Sequence, residues 1–371
     1  MIRMSGPHIW LRAESKPLEE RSALTPTTAK KLANAGFHVT IERSSQRAFK
    51  DWEFEREGFE MAPEGSWRNA PSNAYIFGLK ELPENDNSPL KHTHIQFAHC
   101  YKNQEGWREV LSRFPRGNGL LYDLEFLQDD NGRRVAAFGY HAGFAGSALS
   151  CLAWAHQILH PKKPFGPVRP FPNEKALVRH VARQIRLALR KNKNEYPRIL
   201  VIGALGRCGS GACQLASKVG IPEKNILRWD INETKKGGPF REIAESDIFV
   251  NCIYLSAPVP KFCTIESLNV PTRKLRVVCD VSCDTTNPNN PIPIYDVNTT
   301  FDHPTVPVDG IKGSLPLEVI SIDHLPTLLP RESSEAFSEA LLPSLLALKD
   351  VNHAPVWLRA KELYEEMVKK L

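Results

Sequence analysis

No apolar run in this 371-residue chain is long enough to cross a bilayer, and its first residues, MIRMSGPHIWLRAESK, lack the apolar core of a secretory signal. The eight cysteines form no Cys-x-x-Cys pair and no zinc spacing, so they read mostly as small buried hydrophobes. Charge of one sign is not concentrated either: 48 Lys and Arg oppose 42 Asp and Glu, for a net +6. That scattered excess argues against a nucleic-acid binder and suits an anionic small substrate. The one histidine cluster, HTH at 92–94, has no partner set, and no metal is expected. The tail MVKKL carries Lys369 where a peroxisomal address needs a small residue. These absences leave a chain with no membrane partner, expected in the cytosol.

A hydrophobic content of 42% and a charged content of 24% are those of a soluble globular protein, and the length predicts two domains. The first 130 residues alternate strands with helices. HIWLRAE reads as a strand. In TPTTAKKLANAGFHVTIE, Thr25 is the cap, Pro26 the first helical residue, Gly36 the stop and HVTIE the returning strand. AYIFGLKEL, HIQFAHCY and GLLYDLEFL are three more strands. The small and apolar residues of VAAFGYHAGFAGSALSCLAWAHQIL predict a buried helix. HPKKPFGPVRPFPNE is a proline-rich loop and KALVRHVARQIRLALRK an amphipathic helix. Beyond them, ILRWD, DIFVNCIYL and KLRVVCDVS have the look of a buried parallel sheet, and the C-terminus supplies two helices. The predicted fold is α/β, with two Rossmann-like domains of mostly parallel sheet. The first comprises residues 1–135 with 326–371 and faces the substrate; the second, residues 136–325, faces NAD.

RILVIGALGRCGSGACQLASKVG (198–220) runs from a strand through glycines into a helix. The glycines are spaced G-x-x-G-x-x-G, and a bare strand-to-helix corner is the competing reading. A missing Cβ lets backbone approach a pyrophosphate, and the helix start offers N–H groups to an anion. Asp230 ends the next strand about 20 residues on, where an acid would bind ribose hydroxyls and repel a 2′-phosphate, which favours NAD. A nucleoside-triphosphate loop would need Lys and Ser or Thr where Ala212 and Cys213 stand.

Several stretches are more specific. LRAESKPLEERSALTP (11–26), GLKELPE (78–84), HIQFAHCYK (94–102), GALGRCGSGA (203–212), DVSCDTTNP (280–288) and SIDHLPTLLPRE (321–332) resemble the fungal saccharopine dehydrogenases that form lysine. The resemblance covers nearly the whole chain and extends to the wider group of alanine dehydrogenase and the soluble part of transhydrogenase. It implies two Rossmann-like domains with a cleft between them. It also implies NAD-dependent oxidative deamination of saccharopine to lysine and 2-oxoglutarate, the last step of the aminoadipate route. A secondary amine must lose a proton, give up hydride, take up water at the imine carbon and collapse, which calls for acid–base groups working near neutral pH.

By that resemblance Lys80 and His99 form the acid–base pair, Lys80 taking the amine proton and His99 assisting water addition. Two neighbouring cationic groups lower one another's pKa, so a lysine can serve as base. The resemblance assigns Arg21, Lys80, Gln104, Arg134, Phe138, Ser282, Cys283 and Asp284 to the substrate, guanidinium forks being suited to its carboxylates. Cys283 stands where relatives are expected to carry alanine. Arg133, Gly206, Arg207, Asp230, Thr234, Tyr254, Val281, Ile322, Asp323, His324 and Leu325 are assigned to NAD. Cys208 and Cys252 fall at the same sheet edge, either paired as a disulfide or as two free thiols. Without the resemblance, Lys80 reads as a surface lysine, His99 as a packed strand histidine and the arginines as solvated turn charges. An alanine dehydrogenase-like enzyme and a non-catalytic NAD-binding regulatory protein are the competing functions, and the sequence leaves the oligomeric state open.

Overall fold

The structure, a computed structural model, describes residues 6–83, 85–102, 105–255, 257–283, 285 and 287–371. The chain divides into two compact units, Met1–Ala137 with Pro330–Leu371, and Phe138–Leu329.

The first unit is built on six parallel strands: β1 (His8–Leu11), β2 (His38–Glu42), β3 (Met61–Ala62), β4 (Ala74–Phe77), β5 (Thr93–Gln96) and β6 (Leu120–Asp123). Their order is β3-β2-β1-β4-β5-β6, every pair parallel. Helices α1 (Pro26–Asn34), α2 (Asp51–Arg56) and α3 (Trp107–Arg116) make crossovers. Thr25 and Thr28 close a reciprocal capping box at the start of α1, just where Pro26 fixes the first helical φ. The strand order reverses between β1 and β4, which opens a crevice at the carboxyl ends of those strands.

The second unit begins with α4 (Gly139–Leu159), followed by α5 (Glu174–Lys191), β7 (Ile199–Ile202), α6 (Arg207–Lys218), β8 (Ile226–Trp229), α7 (Ile231–Thr234), α8 (Arg241–Glu245), β9 (Ile248–Asn251), α9 (Ile265–Leu268), β10 (Val277–Asp280), β11 (Val306–Pro307) and β12 (Glu318–Ile320). The sheet order is β11-β12-β10-β9-β7-β8, parallel except for the short edge strand β11. Strands β7, β9 and β10 are buried along their whole length, which explains their unbroken apolar runs. Alternate residues serve two cores. Ile199, Val201, Ile248, Val250, Val277 and Cys279 pack under α4, α5 and α6. Leu200, Ile202, Phe249 and Val278 pack on the other face with Phe240, Phe262 and Leu275. Helix α4 is apolar on every side because nearly every side is covered. Full burial of one large side chain such as Trp154 contributes roughly 1.5–3 kcal/mol.

The chain then returns to the first unit through α10 (Pro330–Leu346) and α11 (Pro355–Val368). Arg331 grips Glu53 with two bonds of 2.9 and 2.8 Å, and Ser334 accepts the N–H of Ser22 at 2.9 Å. Among the described residues no helix is long and apolar enough to cross a membrane.

Candidate active site

In the first unit the chemistry gathers just past the carboxyl ends of β1, β4, β5 and β6. The strands are shorter than the apolar pattern predicts: β4 stops at Phe77 and β5 at Gln96, so Lys80 and His99 stand in the loops that follow. These loops stay adjacent, because Gly78 N–H donates to Ile95 at 3.0 Å and Phe97 N–H to Leu79 at 3.0 Å. The two sequence-predicted partners are thereby brought onto neighbouring chain segments. His99 adopts φ 52°, a left-handed conformation that a non-glycine residue seldom holds without surrounding support. Asp123, buried at the end of β6, supplies some of it by accepting the N–H of Ala98 at 3.3 Å and of Glu125 at 2.9 Å.

A charged network encloses the pair. His99 Nε2 lies 3.8 Å from Glu81 Oε2, and its Nδ1 lies 3.9 Å from Glu125 Oε2. Lys16 binds Glu81 at 2.7 Å, while Lys102 and Arg134 bind Glu125 at 2.6 and 3.3 Å. Arg21 meets Glu19 fork to fork at 2.8 and 2.7 Å, with both side chains buried. Lost hydration and the neighbouring Arg21 charge hold the Lys80 ammonium below its ordinary pKa, against the pull of Glu19 and Glu81. His99 is lowered chiefly by lost hydration and also by Lys80 and Lys16, while Glu81 and Glu125 oppose the shift. Burial raises the Glu81 and Glu125 carboxyls, but their lysine partners outweigh it and leave both net lowered. Such a site has a weakened lysine ammonium and a neutral imidazole beside fixed carboxylates, as acid–base work near neutral pH requires.

In the second unit the chemistry again lies past the strand ends. Gly203 turns at φ 85°, and a Cβ on Gly209 would stand 2.1 Å from the Gly203 carbonyl oxygen. Gly206 is different: a Cβ there would meet only Gly203 O, at 3.4 Å, so the protein's own packing does not demand glycine. The space fits a pyrophosphate at the start of α6. Asp230 follows β8 and accepts the N–H of Leu205 at 3.1 Å and of Ile231 at 2.9 Å, which puts its carboxylate beside the glycine turn. Leu205 and Ile231 lay bare apolar side chains, 82% and 67% exposed, on either side of it. Thr234 binds back to the Asp230 carbonyl at 2.9 Å. Exposed Tyr254 follows β9, half-buried Val281 and Ser282 follow β10, and Ile322 to Leu325 follow β12. The residues present therefore fit a dinucleotide. Ile322 and Leu325 direct their side chains into the core, so only their backbone is available to a ligand; Asp323 and His324 pair with each other.

Arg207 begins α6, and Phe138 is the residue before α4. Cys283 is half-buried, and Arg133 is exposed in the turn whose Asp129 accepts its N–H at 2.9 Å. Gln104 and Asp284 lie outside the described residues. Cys208 and Cys252, which the sequence allows either as a disulfide or as two thiols, stand without a bond between their sulfurs in this structure. They adjoin, and the hydrogen bond of the Cys252 thiol to Cys208, together with burial, raises the Cys252 pKa. In HTH, His94 is buried edge-on against Trp67 and Phe114, and His92 bonds the Ala70 carbonyl at 3.0 Å. Among the described residues no group of His, Cys, Asp and Glu side chains could hold a metal ion.

Comparison with known proteins settles the family. Residues 10–145 match the family described as Alanine dehydrogenase/PNT, N-terminal domain. The chain is 84% identical to the saccharopine dehydrogenase [NAD(+), L-lysine-forming] of Schizosaccharomyces pombe, over 99% of this chain and all of that one. The chain belongs to this family. A second member, from Yarrowia lipolytica, is 62% identical over 99% of this chain and all of its own. The family's fold extends to a solved L-alanine dehydrogenase with TM-score 0.65 at 16% identity, covering 96% of this chain and 93% of that one.

Sequence reasoning did not single out Lys16, Glu19, Glu81, Lys102 or Glu125 as site residues. Glu81 carried a signal, since it adjoins Lys80; Glu125 lies inside GLLYDLEFL, which reads as strand throughout, and carried none.

Proposed function

We infer that this protein uses NAD to oxidise saccharopine to lysine and 2-oxoglutarate. The observation that carries the reading is the pairing of Lys80 and His99 on adjacent loops inside a carboxylate network, in a chain 84% identical to a lysine-forming saccharopine dehydrogenase. NAD, when bound, accepts the hydride. Gly206, Arg207, Asp230, Thr234, Tyr254, Val281 and Ile322 to Leu325 of the second unit would hold it.

The first unit supplies proton chemistry. Lys80, held below its ordinary pKa, takes the proton of the substrate's secondary amine. His99 then removes a proton from the water that adds to the imine carbon and returns one to the leaving amine. Glu81 and Glu125 flank the imidazole and stabilise its charged form when it carries that proton. Arg21 and Arg134 hold substrate carboxylates, with Lys16 and Lys102 contributing charge. Phe138, Gln104, Ser282, Cys283 and Asp284 complete the substrate contacts. The enzyme works in the cytosol on small molecules.

The reading is tested by supplying NAD with saccharopine or with alanine and following NADH. A strong preference for saccharopine supports it; a preference for alanine would favour a smaller-substrate dehydrogenase. No NADH from either, with NAD still bound, would favour a regulatory NAD-binding protein.

A further inference from the structure

The segments LRAE (11–14) and GLKE (78–81) are far apart in sequence, yet a buried ion pair within the first binds the backbone of the second. Arg12 and Glu14 follow β1 and are 2% and 8% exposed. Glu14 accepts the N–H of Leu79 at 2.6 Å on one oxygen and the N–H of Lys80 at 2.9 Å on the other. Arg12 donates to the Lys80 carbonyl, to Gln96 Oε1 at 3.3 Å and to Glu14 Oε2 at 3.4 Å. The backbone of Lys80 is therefore held on both sides of its Cα, through its N–H and its C=O, by two side chains from the neighbouring strand end. Gly78 completes the device: a Cβ there would stand 2.3 Å from Arg12 Nε and 2.5 Å from its Cζ, so only glycine admits the guanidinium.

A buried ion pair is a poor source of stability, because desolvation of both charges offsets most of their attraction. An apolar pair would fill the same space at lower cost. What apolar side chains could not do is fix the two peptide groups that flank one particular lysine. Lys80 carries a flexible stem, so its Nζ is only as well placed as the Cα from which it springs. We propose that Arg12 and Glu14 are positioning residues that set the backbone of Lys80 so that its amine meets the substrate nitrogen. The inference rests on the reading that Lys80 takes the substrate proton.

The test is a double-mutant cycle on the full chain. Glu14→Gln keeps the shape but has one acceptor oxygen for two N–H groups. Gly78→Ala is the second variant, displacing the Arg12 guanidinium without changing any charge. Each is made alone and on a Lys80→Met background, with folding checked by near-UV circular dichroism and NADH binding. The expected result is a fall in kcat of about 10²-fold for either variant alone. With Lys80 already replaced, the further fall is expected to be less than about twofold, because there is no base left to misplace. An equal fall in both backgrounds would make the clamp merely structural and overturn the inference, leaving the reading of Lys80 intact. Loss of folding in both variants would overturn it in the same way. Unaltered turnover in Lys80→Met alone would remove the reading of Lys80, and the inference with it.

Discussion

Arg21 and Glu19 form a buried fork-to-fork pair, with bonds of 2.8 and 2.7 Å, next to the candidate base. The two charges pull Lys80 in opposite directions: Arg21 lowers its pKa and Glu19 raises it. Glu19→Gln removes the raising influence and leaves the Arg21 charge. Lys80 then loses its proton more readily, so the acid limb of the kcat/KM profile for saccharopine should move to lower pH. A limb that moved to higher pH would contradict the assignment of that limb to Lys80.

Lys80→Met should lower turnover by about 10²-fold or more while NADH binding survives, since the lysine belongs to the first unit and the glycine turn to the second. Steady-state kinetics together with NADH fluorescence titration measure both. Turnover like that of the parent would take Lys80 out of the mechanism.

Much of this arrangement was legible beforehand, and the reasons are physical. The cap at Thr25, the unbroken apolar strands of the second sheet and the all-round apolar pattern of α4 follow from local chemistry and periodicity, and all three appear in the structure. Strand ends were harder to read, because Leu79 and Ala98 are buried and continue the apolar pattern after the ladder has stopped. Edge strands β3 and β11 contain two residues each, too few for any periodicity. Helix α3 ends in Arg-Phe-Pro-Arg, and Pro115 in its last turn hides a helix from composition. The left-handed φ of His99 has no sequence signature at all, since histidine gives no hint of it. The clustering of Glu19, Glu81 and Glu125 depends on three strand ends meeting, which only the fold provides.

Asp230 should matter to the cofactor and little to the substrate. Its carboxylate already caps α7 and bonds Leu205, so Asp230→Asn tests the charge with less disturbance than Asp230→Ala. Either variant should weaken NAD by about tenfold, the worth of one hydrogen bond to a charged group, and leave saccharopine affinity unchanged. Calorimetric titration of each ligand decides the matter. Equal NAD affinity in parent and both variants would undo the ribose assignment.

Asp123 carries a stability consequence. Burial, reinforced by Glu125, pushes its carboxyl up to about 7, against the N–H donors of Glu125 and Ala98 and the Arg134 charge. A carboxyl raised on folding favours the folded state most below its unfolded pKa, near 3.9, and that contribution is lost as pH rises through about 7. Asp123→Asn cannot ionise. Its Tm relative to the parent should therefore rise by a few degrees between pH 4 and pH 8. A difference independent of pH would show that Asp123 does not titrate in this window.

The central claim is tested most directly by incubating the protein with NAD and saccharopine and identifying the products as NADH appears. The account predicts one lysine and one 2-oxoglutarate for each NADH formed. NADH formation without lysine, or none at all from a protein that binds both ligands, would contradict it.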